Sequence, residues 1–412
     1  MTITIDAPRL PNVFHAGLPA IDYETVTDPA EALAMLMRAR DRAPIAIGPH
    51  GPELLGYEIV HNALRDHRFQ VPQGMFLASQ GITSGPLWDR VVATIINMDG
   101  DAHHRLRRLV CKAFTPRATA RLRTTVSDVI NSLVDRCAAD GRCDVVADIA
   151  RHYPIPIICA LLGAPAGDWE QFATWTDEFF KAFSWNVAEA VPSILAAWDE
   201  LDSYVDEMVA ERRHRLTDDL VSDLIRAEDE GDRLSIEELR MLVAGLLMAG
   251  TDTTRNQLAA SVSVLCDHPD QWALLARQPD LAANAVEETM RHSPIVFGTL
   301  RTALEDVEVA GYVIPAGTLV ILNSAAANRD SGVCDEPGRL DITRTAALPM
   351  QTFGGGMHYC LGANLARLEL TEALTVMARR MPNIRRTGPA PWKPLSGLSG
   401  PATLPVEFDA GY

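Results

Sequence analysis

A mainly helical protein with a minor β portion is what three features of this sequence predict. Helical spacing of apolar residues fills the middle of the chain, over residues 117–215 and again over 235–292. Short alternating pieces punctuated by Gly and Pro are confined to 44–59, 307–323 and 403–408. No Gly/Ser tract, run of like charge or fixed-period repeat divides the 412 residues, so one domain spanning 1–412 is expected.

The elements follow in order. The first 30 or so residues are Pro-rich and irregular. Residues 31–42 have helical spacing, and 44–59 read as a short hairpin around Pro49, Gly51 and Pro52. A long segment rich in Gly, Gln and Pro, 70–97, is expected to be a functional loop. Residues 103–114 read as a helix, and Thr115-Pro116 can begin the next. The helical patterns of 117–215 are broken at Pro154, Pro156, Pro165 and Pro192. One long helix is expected over 235–267, started by the capping box of Ser235 and Glu238. Helical spacing continues over 269–292, β pieces follow around Gly311 and the turn Pro315-Ala316-Gly317, and 361–380 is the last long helix.

Composition excludes several roles. With 37 basic and 54 acidic residues the net charge is −17, a poor match for nucleic acid, which needs neutralising cations. Arg105, Arg107, Arg108, Lys112, Arg117, Arg121 and Arg123 nevertheless cluster, either as a docking patch for an acidic partner or as a solvated helix face. Seven cysteines, odd in number and without a Cys-x-x-Cys pair, argue against a disulfide framework or a zinc site and for a reducing, cytoplasmic location. Residues 1–10 lack the basic-then-apolar order of a signal peptide. The apolar stretch 242–250 is shorter than the roughly 20 residues a membrane span needs, so no membrane anchor is expected.

Chemistry concentrates in four places. The string Phe353-Gly354-Gly355-Gly356-Met357-His358-Tyr359-Cys360-Leu361-Gly362-Ala363 sets a cysteine behind three glycines at the mouth of an apolar helix. A helix N-terminus favours thiolate over thiol, and glycines let backbone N–H groups approach the sulfur. Met248-Ala249-Gly250-Thr251-Asp252-Thr253-Thr254 puts poor helix formers midway along the long helix, a local conflict that marks function. Thr hydroxyls there can bond back to i−4 carbonyls and open a groove. Glu288 and Arg291 share a helix face at i, i+3. His103 and Arg107 share another at i, i+4, and Arg301 and His358 add further cations.

The cysteine string resembles the haem-binding loop of the cytochrome P-450 family, Phe-x-x-Gly-x-x-x-Cys-x-Gly, matched at Phe353, Gly356, Cys360 and Gly362. The other motifs follow in the family's order, so the resemblance covers nearly the whole chain and points to the soluble bacterial class and its fold. It implies haem b, iron protoporphyrin IX, with Cys360 as the metal ligand and a thiolate push that favours O–O cleavage. It implies that Phe353, Gly354, His358 and Gly362 contact the cofactor, and that His103, Arg107, Arg301 and His358 hold its two propionates; His103 and His104 compete for the first of these places. Asp252 and Thr253 become an acid–alcohol pair that delivers protons during oxygen activation, with Asp252 relaying them from solvent. Glu288 and Arg291 become a structural clamp, and Ala327-Asn328-Arg329-Asp330 takes a supporting structural role.

The family places substrate contacts in four stretches, here 75–96, 179–185, 245–249 and 295–299. Their candidate linings are Phe76, Leu77, Ile95, Ile96, Phe179, Phe183, Met248, Ala249, Val296 and Phe297. Such an apolar set suits a hydrophobic small molecule of terpenoid, steroid or fatty acyl type. No nucleotide fingerprint or phosphate loop is present, so electrons are expected from a ferredoxin and its reductase. A peroxide-driven peroxygenase would replace the Asp252-Thr253 pair, which is intact, and a haem-thiolate sensor would carry a signalling domain, which is not seen.

Overall fold

A computed structural model describes residues 10–410 apart from 75–76, 79, 184–186, 230–233, 346–347 and 396. The side chain of Phe183 also lies outside the description. Helices dominate, as the spacing predicts. The 31-residue helix Ile236–Cys266 is the axis of the fold and spans about 45 Å at 1.5 Å per residue. Its capping box forms: the Glu238 N–H donates to the Ser235 hydroxyl at 3.1 Å, and the Ser235 N–H donates to the Glu238 carboxylate at 2.9 Å. Around it pack Pro154–Leu162, Trp169–Phe180, Val191–His214, Ala282–His292 and Ala363–Arg380.

The prolines of 117–215 start helices more than they break them. Pro154 opens Pro154–Leu162, and Pro192 sits in the first turn of the 24-residue helix Val191–His214. Proline's missing N–H costs nothing there, because the first-turn donors have no intrahelical acceptor. Thr115 caps Pro116–Thr119 as its sequence suggests. The expected 103–114 helix begins earlier, as Gly100–Val110, and tightens into a 3₁₀ turn over Cys111–Phe114. The long segment 70–97 is not all loop, since it holds the helix Pro86–Val92.

The β portion forms a five-stranded sheet in the order Ile45–Gly48, Gly51–Leu54, Leu319–Leu322, Thr299–Ala303, Phe69–Gln70. The expected hairpin is its first pair, with Ile45 opposite Leu54, but it ends sooner than predicted because Tyr57–Ala63 is helical. Gly51–Leu54 pairs parallel to Leu319–Leu322, which joins the two halves of the sequence. Arg142–Asp144, Pro405–Glu407 and Arg385–Arg386 make a second sheet, and Val307–Val309 with Tyr312–Ile314 a separate hairpin.

The most span-like stretch is Val145–Leu162 rather than 242–250. Its mean hydropathy is 1.5 over 18 residues, yet 61% of it is buried inside the protein. Its apolar surface is therefore satisfied by the core, and the segment turns at Arg151 between two helical pieces.

One buried acid sits in the larger sheet with no cationic partner among the described residues. Glu53 is 1% exposed; its carboxyl accepts from Tyr23 Oη at 3.2 Å and from Asn323 Nδ2 at 2.8 Å. Burial pushes it up to about 7 in spite of those two donors. The native state therefore holds a proton that the unfolded chain releases above about 4.5. This contribution to stability is complete below about 4.5 and lost as pH rises to about 7, with a slope of at most about 1.4 kcal/mol per pH unit. Glu53→Gln is expected to remove that slope. Urea unfolding of both proteins between pH 4.5 and 8 would show the stability difference moving with pH; a constant difference would refute the assignment.

Candidate active site

The cysteine loop is built by short-range backbone bonds. The Cys360 N–H donates to the Phe353 carbonyl at 2.8 Å, and the Gly354 N–H to the Gln351 carbonyl at 2.9 Å. Gly354 needs its glycine for a φ of +69°. Gly356 needs it for space: a Cβ there would lie 2.4 Å from the Leu64 carbonyl oxygen, at a φ of +62°. Gly355 and Gly356 thus seat the loop on the end of Tyr57–Ala63, a packing role that differs from the expected approach to the sulfur. The Arg367 guanidinium lies 4.5 Å from the Phe353 ring centre, and Arg367 pairs with Glu287 at 2.5 Å.

Cys360 precedes the helix Ala363–Arg380, whose N-cap is Gly362. The Gly362 N–H donates to its sulfur, and Arg107 and Arg367 add positive charge. Burial still outweighs all three and pushes the thiol above its ordinary value. The expectation that the helix start by itself favours thiolate is therefore corrected: desolvation wins here, and a coordinated metal cation would supply the charge that holds the thiol deprotonated.

The four predicted cations do converge beside this loop. The His103 and His358 rings are 4.4 Å apart. Arg107 donates to the Tyr359 carbonyl and lies close enough to Cys360 to act on its charge. Arg301 acts likewise on His358. His103 is 1% exposed and His104 is exposed, so His103 is the inward-facing member of the pair. Burial, with His358 and Arg107 as neighbours, holds His103 down at about 4. His103 Nδ1 is buried with no partner among the described residues. Arg301 is 6% exposed, and the one hydrogen bond of its guanidinium among the described residues goes to the Leu300 carbonyl at 2.7 Å. A buried guanidinium and a buried orphan imidazole nitrogen next to a half-buried thiol form a donor set that fits a metal-bearing, doubly anionic group.

The helix segment 248–254 is continuous. Thr251 Oγ1 donates to the Leu247 carbonyl at 2.9 Å and Thr253 Oγ1 to the Ala249 carbonyl at 2.8 Å, the back-bonding its composition suggests. Gly250 is explained by packing, since a Cβ there would meet Ile158 Cδ1 at 2.9 Å. Ala249 is exposed midway along this core helix, and Gly245 and Thr253, one turn to either side, are half-exposed. They form a line of accessible small side chains between buried neighbours.

Asp252 is 6% exposed, and burial raises its carboxyl above the usual range while Arg255 and Lys393 oppose the shift. It is ion-paired with Arg255. Arg255 reaches Asp177 at 3.2 Å, and Asp177 reaches the surface residue Arg151 at 2.7 Å. Lys393 donates to Asn256 Oδ1 at 2.9 Å. A charged chain thus runs from the buried carboxyl to solvent. Arg255 was legible in principle, three residues after Asp252; Asp177 and Lys393 carry no local signal.

Glu288 and Arg291 form a bidentate pair at 2.7 and 2.8 Å. A third member carries no local signal: Arg344 Nε donates to the same Glu288 oxygen at 3.3 Å, 56 residues along the chain. The Asp341 N–H adds a bond at 2.9 Å, and Arg291 also ties the Pro337 and Arg339 carbonyls. Glu288→Ala is expected to cost about 3–5 kcal/mol, because it leaves two guanidinium groups in the interior without their carboxylate. Denaturant unfolding measures this; a loss under about 1 kcal/mol would demote the cluster to a surface-type pair.

The candidate pocket residues divide. Ile96 is 56% exposed, and Ile95, Ala249 and Val296 are also accessible. Phe179 and Phe297 are corrections: Phe179 is fully buried on Trp198 at 5.1 Å, and Phe297 is 2% exposed and stacked on Tyr23 at 5.4 Å. Aromatic burial in separate cores accounts for both. Leu77 and Met248 are likewise buried, while Phe76 and the Phe183 side chain lie outside the described residues.

Comparison with known proteins decides the family. The cytochrome P450 family model matches residues 54–276 and 276–381. This chain belongs to the cytochrome P450 family. It is 38% identical over 369 residues to mycinamicin IV hydroxylase/epoxidase of Micromonospora griseorubida, covering 87% of this chain and 91% of that one. The crystal structure of CalO2 superposes with a TM-score of 0.88 at 32% identity, over 95% and 100% of the two chains. P450BioI, crystallised with a hexadec-9Z-enoic acid-ligated acyl carrier protein, gives a TM-score of 0.83 at 29% identity, over 92% and 99%. The P450 described here is accordingly a haem monooxygenase, an oxidoreductase with iron protoporphyrin IX as cofactor, a small-molecule substrate and a redox partner.

Proposed function

We propose that this P450 hydroxylates a hydrophobic small molecule of terpenoid, steroid or fatty acyl type, with dioxygen and with electrons from a ferredoxin and its reductase. In this reading it works in the reducing cytoplasm, where its seven thiols stay free. The observation that carries the reading is the half-buried Cys360 sulfur, bonded by the Gly362 N–H and flanked by His103, Arg107, Arg301 and His358. Haem, when bound, supplies the redox chemistry. Cys360 would ligate its iron, Phe353, Gly354 and Gly362 would flank it, Arg107 and Arg301 would neutralise its carboxylates, and His103 and His358 would donate hydrogen bonds to them. Thr253 and Asp252 hold and deliver protons, and Arg255 and Asp177 connect Asp252 to solvent. The accessible stripe of Gly245, Ala249 and Thr253, with Ile95, Ile96 and Val296, offers an apolar wall to the substrate. The relative crystallised with an acyl-carrier-linked fatty acid agrees with the fatty acyl alternative.

The test is a pair of assays. Turnover driven by NADH through a ferredoxin system is compared with turnover on peroxide alone, using compounds first selected by their shift of the haem absorption band. Product with peroxide but none with ferredoxin would overturn the electron-driven reading.

The docking patch is smaller than the sequence suggests. Arg105 pairs with Glu238, Arg121 with Asp218 at 2.6 Å, and Arg123 with Glu372. Lys112 and Arg117 are exposed and make no side-chain bond or ion pair among the described residues. Steering of an acidic ferredoxin falls to these two together with the exposed Arg108, on a body of net charge −17. Lys112→Glu with Arg117→Glu is expected to slow reduction on the order of tenfold at low salt. The difference should fade as salt shortens the screening length towards about 8 Å. Stopped-flow reduction rates indifferent to both salt and charge would remove the patch.

A further inference from the structure

Asp99, immediately before the helix Gly100–Val110, joins three segments with one carboxylate. Its Oδ1 accepts from His358 Nε2 at 2.8 Å, and its Oδ2 accepts from the Val71 N–H at 3.1 Å. Both side chains are mostly enclosed, His358 at 12% and Asp99 at 18% exposure. His358 in turn lies against the His103 ring, and Arg301 feels the Asp99 charge. The carboxylate therefore ties the strand Phe69–Gln70, the helix bearing His103 and Arg107, and the loop bearing Cys360. Among His103, Arg107, Arg301 and His358, His358 is the one held by a carboxylate of the protein itself, among the described residues.

We propose that Asp99 is a positioning residue for the haem site: it orients His358 toward the cofactor's carboxylates, and its charge holds the reduction potential down. A carboxylate behind a histidine commonly fixes the ring's orientation, and losing it costs about 10–100-fold in affinity or activity at metal sites. A fixed negative charge beside the residues that would hold the haem carboxylates favours the more positive, oxidised state of the group they hold. The proposal rests on the reading above that His103, Arg107, Arg301 and His358 hold the haem carboxylates.

The experiment uses the haem-loaded enzyme and its Asp99→Asn, Asp99→Glu and His358→Ala variants. Two quantities are read: the rate of haem transfer to excess apomyoglobin, and the reduction potential by redox titration. Asp99→Asn is isosteric and can still accept the Val71 N–H. It is expected to lose haem on the order of tenfold faster, with a potential shifted upward. Asp99→Glu, which keeps the charge, should restore both at least in part. His358→Ala should speed haem loss at least as much. If His358→Ala leaves haem loss unchanged, the reading of the haem cations fails. If His358→Ala speeds it but Asp99→Asn matches the wild type in rate and potential, only the role of Asp99 is overturned. Equal damage from Asn and Glu, including isolation of both without haem, makes Asp99 a structural tether and overturns the proposal. Isolation of the Asn variant alone without haem supports it.

Discussion

Cys360→His is expected to abolish the thiolate spectrum of the reduced carbonyl complex and to bring monooxygenase turnover down to background. The reason is electronic: a thiolate pushes density onto the iron and favours O–O cleavage, and a neutral imidazole does not. Among the seven cysteines, Cys360 alone combines a backbone N–H aimed at the sulfur with two arginines beside it. Cys159 and Cys266 are pushed up to about 12 by burial, and the free thiols of Cys137 and Cys143 share a hydrogen bond. The other six are therefore expected to tolerate Ala or Ser with the spectrum unchanged. A Cys360→His protein that kept the thiolate spectrum, or another cysteine whose loss erased it, would overturn the ligand assignment.

The second large effect is at the acid–alcohol pair. Thr253→Ala should bind haem and substrate normally, because among the described residues the Thr253 side chain makes only a back-bond to Ala249 and the neighbouring Thr251 back-bond survives. Without the hydroxyl, electrons should be diverted to hydrogen peroxide, read as the ratio of product to NADH consumed. Asp252→Asn should slow turnover about 10²-fold, the ordinary weight of a positioned proton donor. Asn can neither carry a proton nor answer the Arg255 charge, which would be left with Asp177. Full-speed, fully coupled turnover in both variants would remove the pair from the mechanism.

Much of this protein was determined by local sequence. The long helix announced itself by period and by the Ser235–Glu238 capping box, and the cysteine loop by its glycines and the apolar helix after them. These features are legible because each depends on residues within a turn or two of one another. Even so, the reasons behind some of these residues were tertiary. Gly250 answers to Ile158 on another helix, and Gly356 to Leu64 nearly 300 residues away.

What only the tertiary structure decided is which side chains meet across the chain. Sequence could not choose between His103 and His104, since either can lie inward until the Cys360 loop is placed against their helix. It could not see Arg344 closing on Glu288, Asp177 on Arg255, or Asp99 on His358, because charge pairing acts through space and leaves no period. It misplaced Phe179 and Phe297 for the same reason: an apolar ring is equally at home in a pocket wall or a core, and only the neighbours Trp198 and Tyr23 settle which. The fate of the Cys360 proton is the last case. The helix start and the glycines favour the thiolate, but desolvation, fixed by the whole fold, outweighs them, and a coordinated metal would tip the balance back.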